Sequence, residues 1–209
     1  MMTEKELMLA GRLYNPLCDP QLREDHLRAR RLTRKLNGLS EEELNTAPAI
    51  IRELFGTVGS NPHVEPAFHC DYGFNIHVGN NFFANYNCVM LDVCEIRIGD
   101  NVMLAPQVGL YTAAHPIDAG VRNAGLEYGA PITIGSNVWI GGGTTVNPGV
   151  TIGSNAVIGS GSVVVKDIPS NVIAVGNPCK VLREITKEDK RYWEEKRKQH
   201  EASRSTDAG

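Results

Sequence analysis

The sequence predicts a mainly β protein, a parallel β-helix of six-residue units with helices at both ends. Three observations carry this. From residue 134 the chain divides without a break into IGSNVW, IGGGTT, VNPGVT, IGSNAV, IGSGSV and VVKDIP. Gly and Asn recur where a continuous strand would need side chains. Before residue 59 the apolar residues follow helical spacing instead.

Residues 1–58 are expected to form a helical cap. Thr3 to Glu6 fits a capping box opening a short helix. Asp19-Pro20 places an N-cap before a Pro at the first helical position. Leu22, His26, Ala29, Thr33 and Leu36 follow at helical spacing, and Asn37-Gly38 ends the run. Ser40 to Glu43 is a second capping box, with Leu44, Ile50, Ile51 and Leu54 as an apolar face. His26 reads as a packing or surface residue.

Residues 59–183 are expected to form the β-helix, with helical periodicity gone from about residue 64. Ile134, Ile140, Val146, Ile152, Ile158 and Val164 recur every six residues. The fifth places hold Val138, Thr144, Val150, Ala156, Ser162 and Ile168, all small or β-branched. A weaker set starts at 78 (VGNNFF, ANYNCV, MLDVCE) and resumes at 98 (IGDNVM, LAPQVG, LYTAAH) after a two-residue insertion. Six residues do not return to one face of an α-helix, so short strands joined by tight turns fit best. Three units make one triangular coil, and coils stack at ~4.8 Å with aliphatics inside.

Residues 184–209 are expected to be a helix and a disordered tail, with disorder from Ala202. The formal net charge of −3 speaks against a nucleic-acid binder. No apolar stretch is long enough to span a bilayer, and MMTEKELMLAGR lacks a signal-peptide core, so a cytoplasmic protein is expected. The five cysteines show no CxxC spacing and read as free, mostly buried thiols, with no metal site.

The repeat fails once, between Tyr111 and Pro131. An ejected loop costs entropy without coil stacking, which points to function. It holds His115, whose backbone Pro116 restrains to extended geometry. Histidine suits proton abstraction near neutral pH; on position alone, a surface-loop histidine fits as well.

IGDN (98–101), AP (105–106), YTAAHP (111–116), PITIGSNVWIGGG (131–143), NPGVTIG (147–153) and GNP (176–178) resemble the sugar O-acetyltransferases of the maltose and galactoside type. AGRLY (10–14) and the LR…R run from Leu27 resemble their cap, and CDYGFNI (70–76), NNFFAN (80–85) and VMLDVC (89–94) lie closest to the maltose branch. The resemblance covers about residues 3–185. It implies a left-handed coil, a homotrimer with active sites between subunits, and acetyl-CoA as cosubstrate.

It further implies that His115 is the general base, activating a sugar hydroxyl for direct attack on the thioester. Asn85 would reach the reacting centre from a neighbouring subunit; without the resemblance it is a turn residue. Asp71 and Asp92 match acceptor contacts. The galactoside branch carries an acid at the position of Val93 and another that aligns near Pro16, so a glucose- or maltose-like acceptor is expected, with Asp19 as a substitute contact or simply an N-cap. Glu127 is a candidate to orient His115, or an exposed loop carboxylate. Trp139, Ala105, Gly142, Ser160 and Val165 match the coenzyme A groove, and Lys166, Lys180 and Arg183 its phosphate positions; each alone would be a packing or surface residue.

Two other readings compete. The same chemistry could serve another acceptor, an antibiotic or amino sugar, or the β-helix could be a non-enzymatic assembly module. A γ-type carbonic anhydrase is disfavoured, because no close histidine pair accompanies His115.

Overall fold

The computed structural model describes residues 1–205. Helix α1 (Glu4–Leu9) opens on the expected capping box: the Glu6 N–H donates to Thr3 Oγ1 at 3.1 Å and the Thr3 N–H to the Glu6 carboxylate at 2.8 Å. Helix α2 (Pro20–Asn37) follows Asp19, whose carboxylate accepts the amides of Gln21 and Leu22. Gly38 ends it by bonding back to the Arg34 carbonyl at 3.1 Å, with an ordinary φ of −101°. The Ser40–Glu43 box opens a 3-10 turn over Glu41–Thr46, and α3 (Ala47–Leu54) begins only after it. This corrects one expectation. Leu44 lies in the tighter turn and is 42% exposed, while Ile50, Ile51 and Leu54 are buried.

The next segment winds into a prism of three parallel sheets. The first face stacks Thr57–Val58, Ile76–Val78, Ile96–Ile98, Ile132–Ile134 and Thr151–Ile152. The second stacks His63–Val64, Phe83–Ala84, Met103–Leu104, Trp139–Ile140, Val157–Ile158 and Val172–Val175. The third stacks His69–Cys70, Val89–Leu91, Gly109–Tyr111, Thr145–Val146 and Val163–Val164. A complete coil over residues 57–76 thus precedes the first six-residue unit legible in the sequence.

All six repeated aliphatics from Ile134 to Val164 are at most 2% exposed, and the fifth-place residues are buried beside them. Full burial of such a side chain contributes roughly 1.5–3 kcal/mol. Buried Thr144 and Ser162 donate their hydroxyls to the Gly159 carbonyl, so neither is an unpaired polar group. The Ile-Gly pairs have a steric cause: a Cβ on Gly99 would lie 2.6 Å from Ser136 Oγ and 2.8 Å from its amide nitrogen.

The corner between the first and second faces carries an unbroken asparagine ladder. Asn61, Asn81, Asn101, Asn137, Asn155 and Asn171 all have positive φ, and each side-chain amide donates to the next at 2.9–3.1 Å. Asn tolerates this left-handed conformation, and its side chain knits successive coils together.

The cap closes the first coil, with α2 and α3 against its strands. The loop after Tyr111 pairs Ala113–Ala114 with Tyr128–Gly129 in an antiparallel hairpin around α4 (Ala119–Asn123). At the other end Lys180–Glu184 pairs antiparallel with Val172–Val175, and α5 (Lys187–Ser205) follows. Residues 202–205, expected to be disordered, continue that helix; the rest of that segment lies outside the described residues. Among the described residues no helix is long and apolar enough to cross a membrane. Cys70, Cys88, Cys94 and Cys179 are buried and Cys18 exposed, all as free thiols.

Candidate active site

Every irregularity of the repeat falls on the corner between the third and first faces. Val146 reaches Thr151 in five residues, but Cys70 reaches His77 and Met90 reaches Arg97 in seven, and Leu110 reaches Thr133 in twenty-three. Segments 71–75, 92–95 and 112–131 therefore stack as one widened edge, and the cap lies against it. Between edge and cap opens a cleft of about 540 Å³. His115, Glu127, Asp71 and Tyr72 line it from the edge, Leu17 and His26 from the cap.

The hairpin fixes the two loop residues. Ala114 pairs with Tyr128, which brings His115 and Glu127 to its adjoining ends. His115 Nε2 lies 3.9 Å from Glu127 Oε2. That is too long for a hydrogen bond, so the nitrogen is not occupied, yet short enough for the carboxylate to stabilise positive charge on the ring. The other Glu127 oxygen accepts the phenol of Tyr14. Tyr14 was not singled out in the sequence, because only the folded hairpin brings it to Glu127; once buried, its phenol must find a partner.

Asp92 is fully buried and does not line the cleft. It accepts the amides of Asp71 at 3.0 Å, Tyr72 at 2.9 Å and Asn75 at 3.3 Å, and so shapes the wall that carries Asp71. Burial pushes its carboxyl up to about 7, with the Asp71 charge adding to this against the amide donors. Burial, then the charge of Glu127, pushes Asp71 up to about 6. Asp19 is also occupied: it accepts Lys5, Gln21 and Leu22 amides, which hold its carboxyl below the usual range, and it does not line the cleft.

Carboxyls raised on folding bind protons that the unfolded chain, titrating near 4, has released. Asp71 and Asp92 therefore favour the fold at about pH 4, and that stability is lost as pH rises through about 6 and 7. For Asp92 the effect is on the order of 4 kcal/mol. Thermal unfolding is expected at a higher temperature near pH 5 than near pH 8, with a flatter dependence in Asp92→Asn. Equal slopes in the two proteins would refute the assignment to Asp92.

The other candidates lie on different edges. Ala105, Gly142 and Ser160 stack on the corner between the second and third faces, where the Gly161 N–H donates to the Gly142 carbonyl and the Gly143 N–H to that of Pro106. Asn85 heads the same column, its side-chain oxygen accepting the Tyr86 amide at 2.7 Å. Trp139 stands half exposed on the adjoining second face beside Met103. Val165 and Lys166 are exposed on the widened edge's own column, past His115. Lys180 and Arg183 lie on the terminal strand, where Arg183 is doubly bonded to Asp189 at 2.6 and 2.8 Å. One chain thus gathers His115, Glu127 and Asp71 but keeps Asn85 on another corner. Among the described residues no group of three or more His, Cys, Asp or Glu is arranged to hold a metal ion.

Comparison with known proteins agrees with this architecture. Residues 7–59 match the maltose acetyltransferase hexapeptide capping motif, and residues 131–166 the bacterial transferase hexapeptide. The chain is 47% identical to the galactoside O-acetyltransferase of Escherichia coli, over 92% of this chain and 93% of that one. A crystal structure of a maltose O-acetyltransferase from Clostridium difficile superposes with a TM-score of 0.87 at 57% identity, covering 89% of this chain and 99% of the other. A galactoside acetyltransferase in complex with coenzyme A superposes with a TM-score of 0.87 at 47% identity, covering 91% and 94%.

Proposed function

The chain belongs to the maltose and galactoside O-acetyltransferase family, and from that premise we propose that it moves an acetyl group from acetyl-CoA to a sugar hydroxyl, with His115 as general base. The observation that carries the proposal is the meeting of His115, Glu127 and Asp71 in one cleft, at the edge where the repeat breaks.

A sugar hydroxyl is a weak nucleophile until a base takes its proton. His115 accepts that proton as the hydroxyl oxygen bonds to the thioester carbonyl carbon. The carbon–sulfur bond then breaks, and His115 returns the proton to the coenzyme A sulfur. Glu127 stabilises the transient imidazolium across 3.9 Å. Asp71 accepts hydroxyls of the acceptor. Asp92 and Asp19 are engaged elsewhere, so Asp92 contributes by holding the Asp71 backbone and Asp19 by capping α2.

Coenzyme A fits the column of Ala105, Gly142 and Ser160, whose small side chains allow close approach, with Trp139 against its arm. Lys180 extends that groove toward the phosphates, Arg183 joins it when it exchanges Asp189 for phosphate, and Val165 and Lys166, which stand on the His115 edge, reach the groove of a neighbouring copy. This column and the His115 edge flank the third face of one prism. A closed ring of three copies sets one chain's column against its neighbour's edge and delivers Asn85 to the reaction.

The test is an acceptor screen. Thiol release is expected with acetyl-CoA plus glucose or maltose, weaker with galactosides, and absent with either substrate omitted. Preference for an amino sugar or an antibiotic would move the assignment to that acceptor. Release without any acceptor dependence would refute it.

A further inference from the structure

We propose that Tyr14, in the helical cap, is a positioning residue for the transfer: its phenol holds one oxygen of Glu127 so that the other faces His115. This rests on the reading above, in which His115 is the base.

Tyr14 and Glu127 stand 113 residues apart and are joined three times. The Tyr14 N–H donates to the Glu127 carbonyl at 3.0 Å, the Glu127 N–H donates to the Tyr14 carbonyl at 3.0 Å, and the phenol donates to Glu127 Oε1. The oxygen left over, Oε2, is the one 3.9 Å from His115 Nε2. Tyr14 is fully buried. Burial, then the bond to Glu127, hold its phenol well above the ordinary tyrosine range, so it remains a donor.

The neighbouring contacts make this a seam. A Cβ on Gly11 would lie 3.3 Å from the Gly129 carbonyl oxygen, and one on Gly125 would lie 3.3 Å from Asn15 Nδ2. The Met8 carbonyl accepts from Cys94 Sγ at 3.7 Å. Residues 8–15 thus run along the return arm of the hairpin. A glutamate on an ejected loop would otherwise sample several rotamers, and a carboxylate that wanders stabilises the imidazolium less than a fixed one. The cap, besides closing the prism, sets the geometry of a loop more than a hundred residues away.

Tyr14→Phe tests this, because it keeps the ring and both backbone bonds and removes only the phenol oxygen. Its kcat is expected to fall roughly ten-fold, the worth of one hydrogen bond, with KM for acetyl-CoA and the circular dichroism unchanged. Glu127→Gln is the second arm. In that background Tyr14→Phe is expected to change kcat by less than about two-fold, because the group it positions is gone. A wild-type kcat in Tyr14→Phe would overturn the proposal. So would a ten-fold loss that persists in the Glu127→Gln background, which marks a purely structural role. If His115→Ala is inactive while Tyr14→Phe is normal, this proposal alone fails; if His115→Ala is fully active, the reading beneath it fails.

Discussion

His115→Ala is expected to lose about 10²- to 10⁴-fold in kcat, the usual worth of a positioned general base. The fold is expected to survive. The side chain is 59% exposed, and the hairpin that carries it is held by backbone pairing of Ala113 with Gly129 and Ala114 with Tyr128. KM for acetyl-CoA should not move, because the Ala105, Gly142 and Ser160 column stands on another corner. This pattern separates loss of a base from loss of binding. Steady-state thiol release checks it, and a wild-type kcat would remove His115 from the reaction.

Asn85→Ala is expected to lose about 10²-fold in kcat, as for removal of one donor from a developing charge. The more telling result is in mixtures. If each site combines His115 of one chain with Asn85 of the next, neither variant trimer has an intact site. Mixed trimers do. Random mixing of equal amounts of His115→Ala and Asn85→Ala, after dissociation and reassembly, should regenerate about a quarter of the wild-type sites. Activity no greater than the sum of the two variants would place the whole site within one chain. That outcome would sit badly with the geometry, since Asn85 and His115 occupy different corners of the prism.

Much of the fold was legible because it is local and periodic. The six aliphatics from Ile134 to Val164 announce the stack, and Thr3, Asp19 and Ser40 announce the caps. The first coil, residues 57–76, was harder to read, because its long 71–75 corner breaks the six-residue rhythm before the rhythm has begun. The asparagine ladder was present only as uneven spacings of 20, 20, 36, 18 and 16 residues, and its meaning depends on register, which only stacked coils reveal. Leu44 was misplaced because a capping box signals a helix start without distinguishing a 3-10 turn from an α-helix.

The site divides in the same way. His115 stood out because a break in a strong repeat draws attention to what fills it, while a role as base came only from the family resemblance. Tyr14 did not stand out, because a contact spanning 113 residues leaves no local trace. The family resemblance implies an acceptor contact for Asp92, yet three amides claim it in the interior. Asp19 stays with the N-cap role its sequence signature already suggested.

Direct transfer, without an acetyl-enzyme, is tested by a single-turnover experiment. Enzyme is mixed with acetyl-CoA in the presence or absence of sugar, and thiol and acetyl-sugar are followed together. Thiol and acetyl-sugar should appear in equal amounts and at one rate, with no thiol released while sugar is withheld. A burst of thiol equal to the enzyme without sugar, leaving acetyl on the protein, would rule out direct transfer.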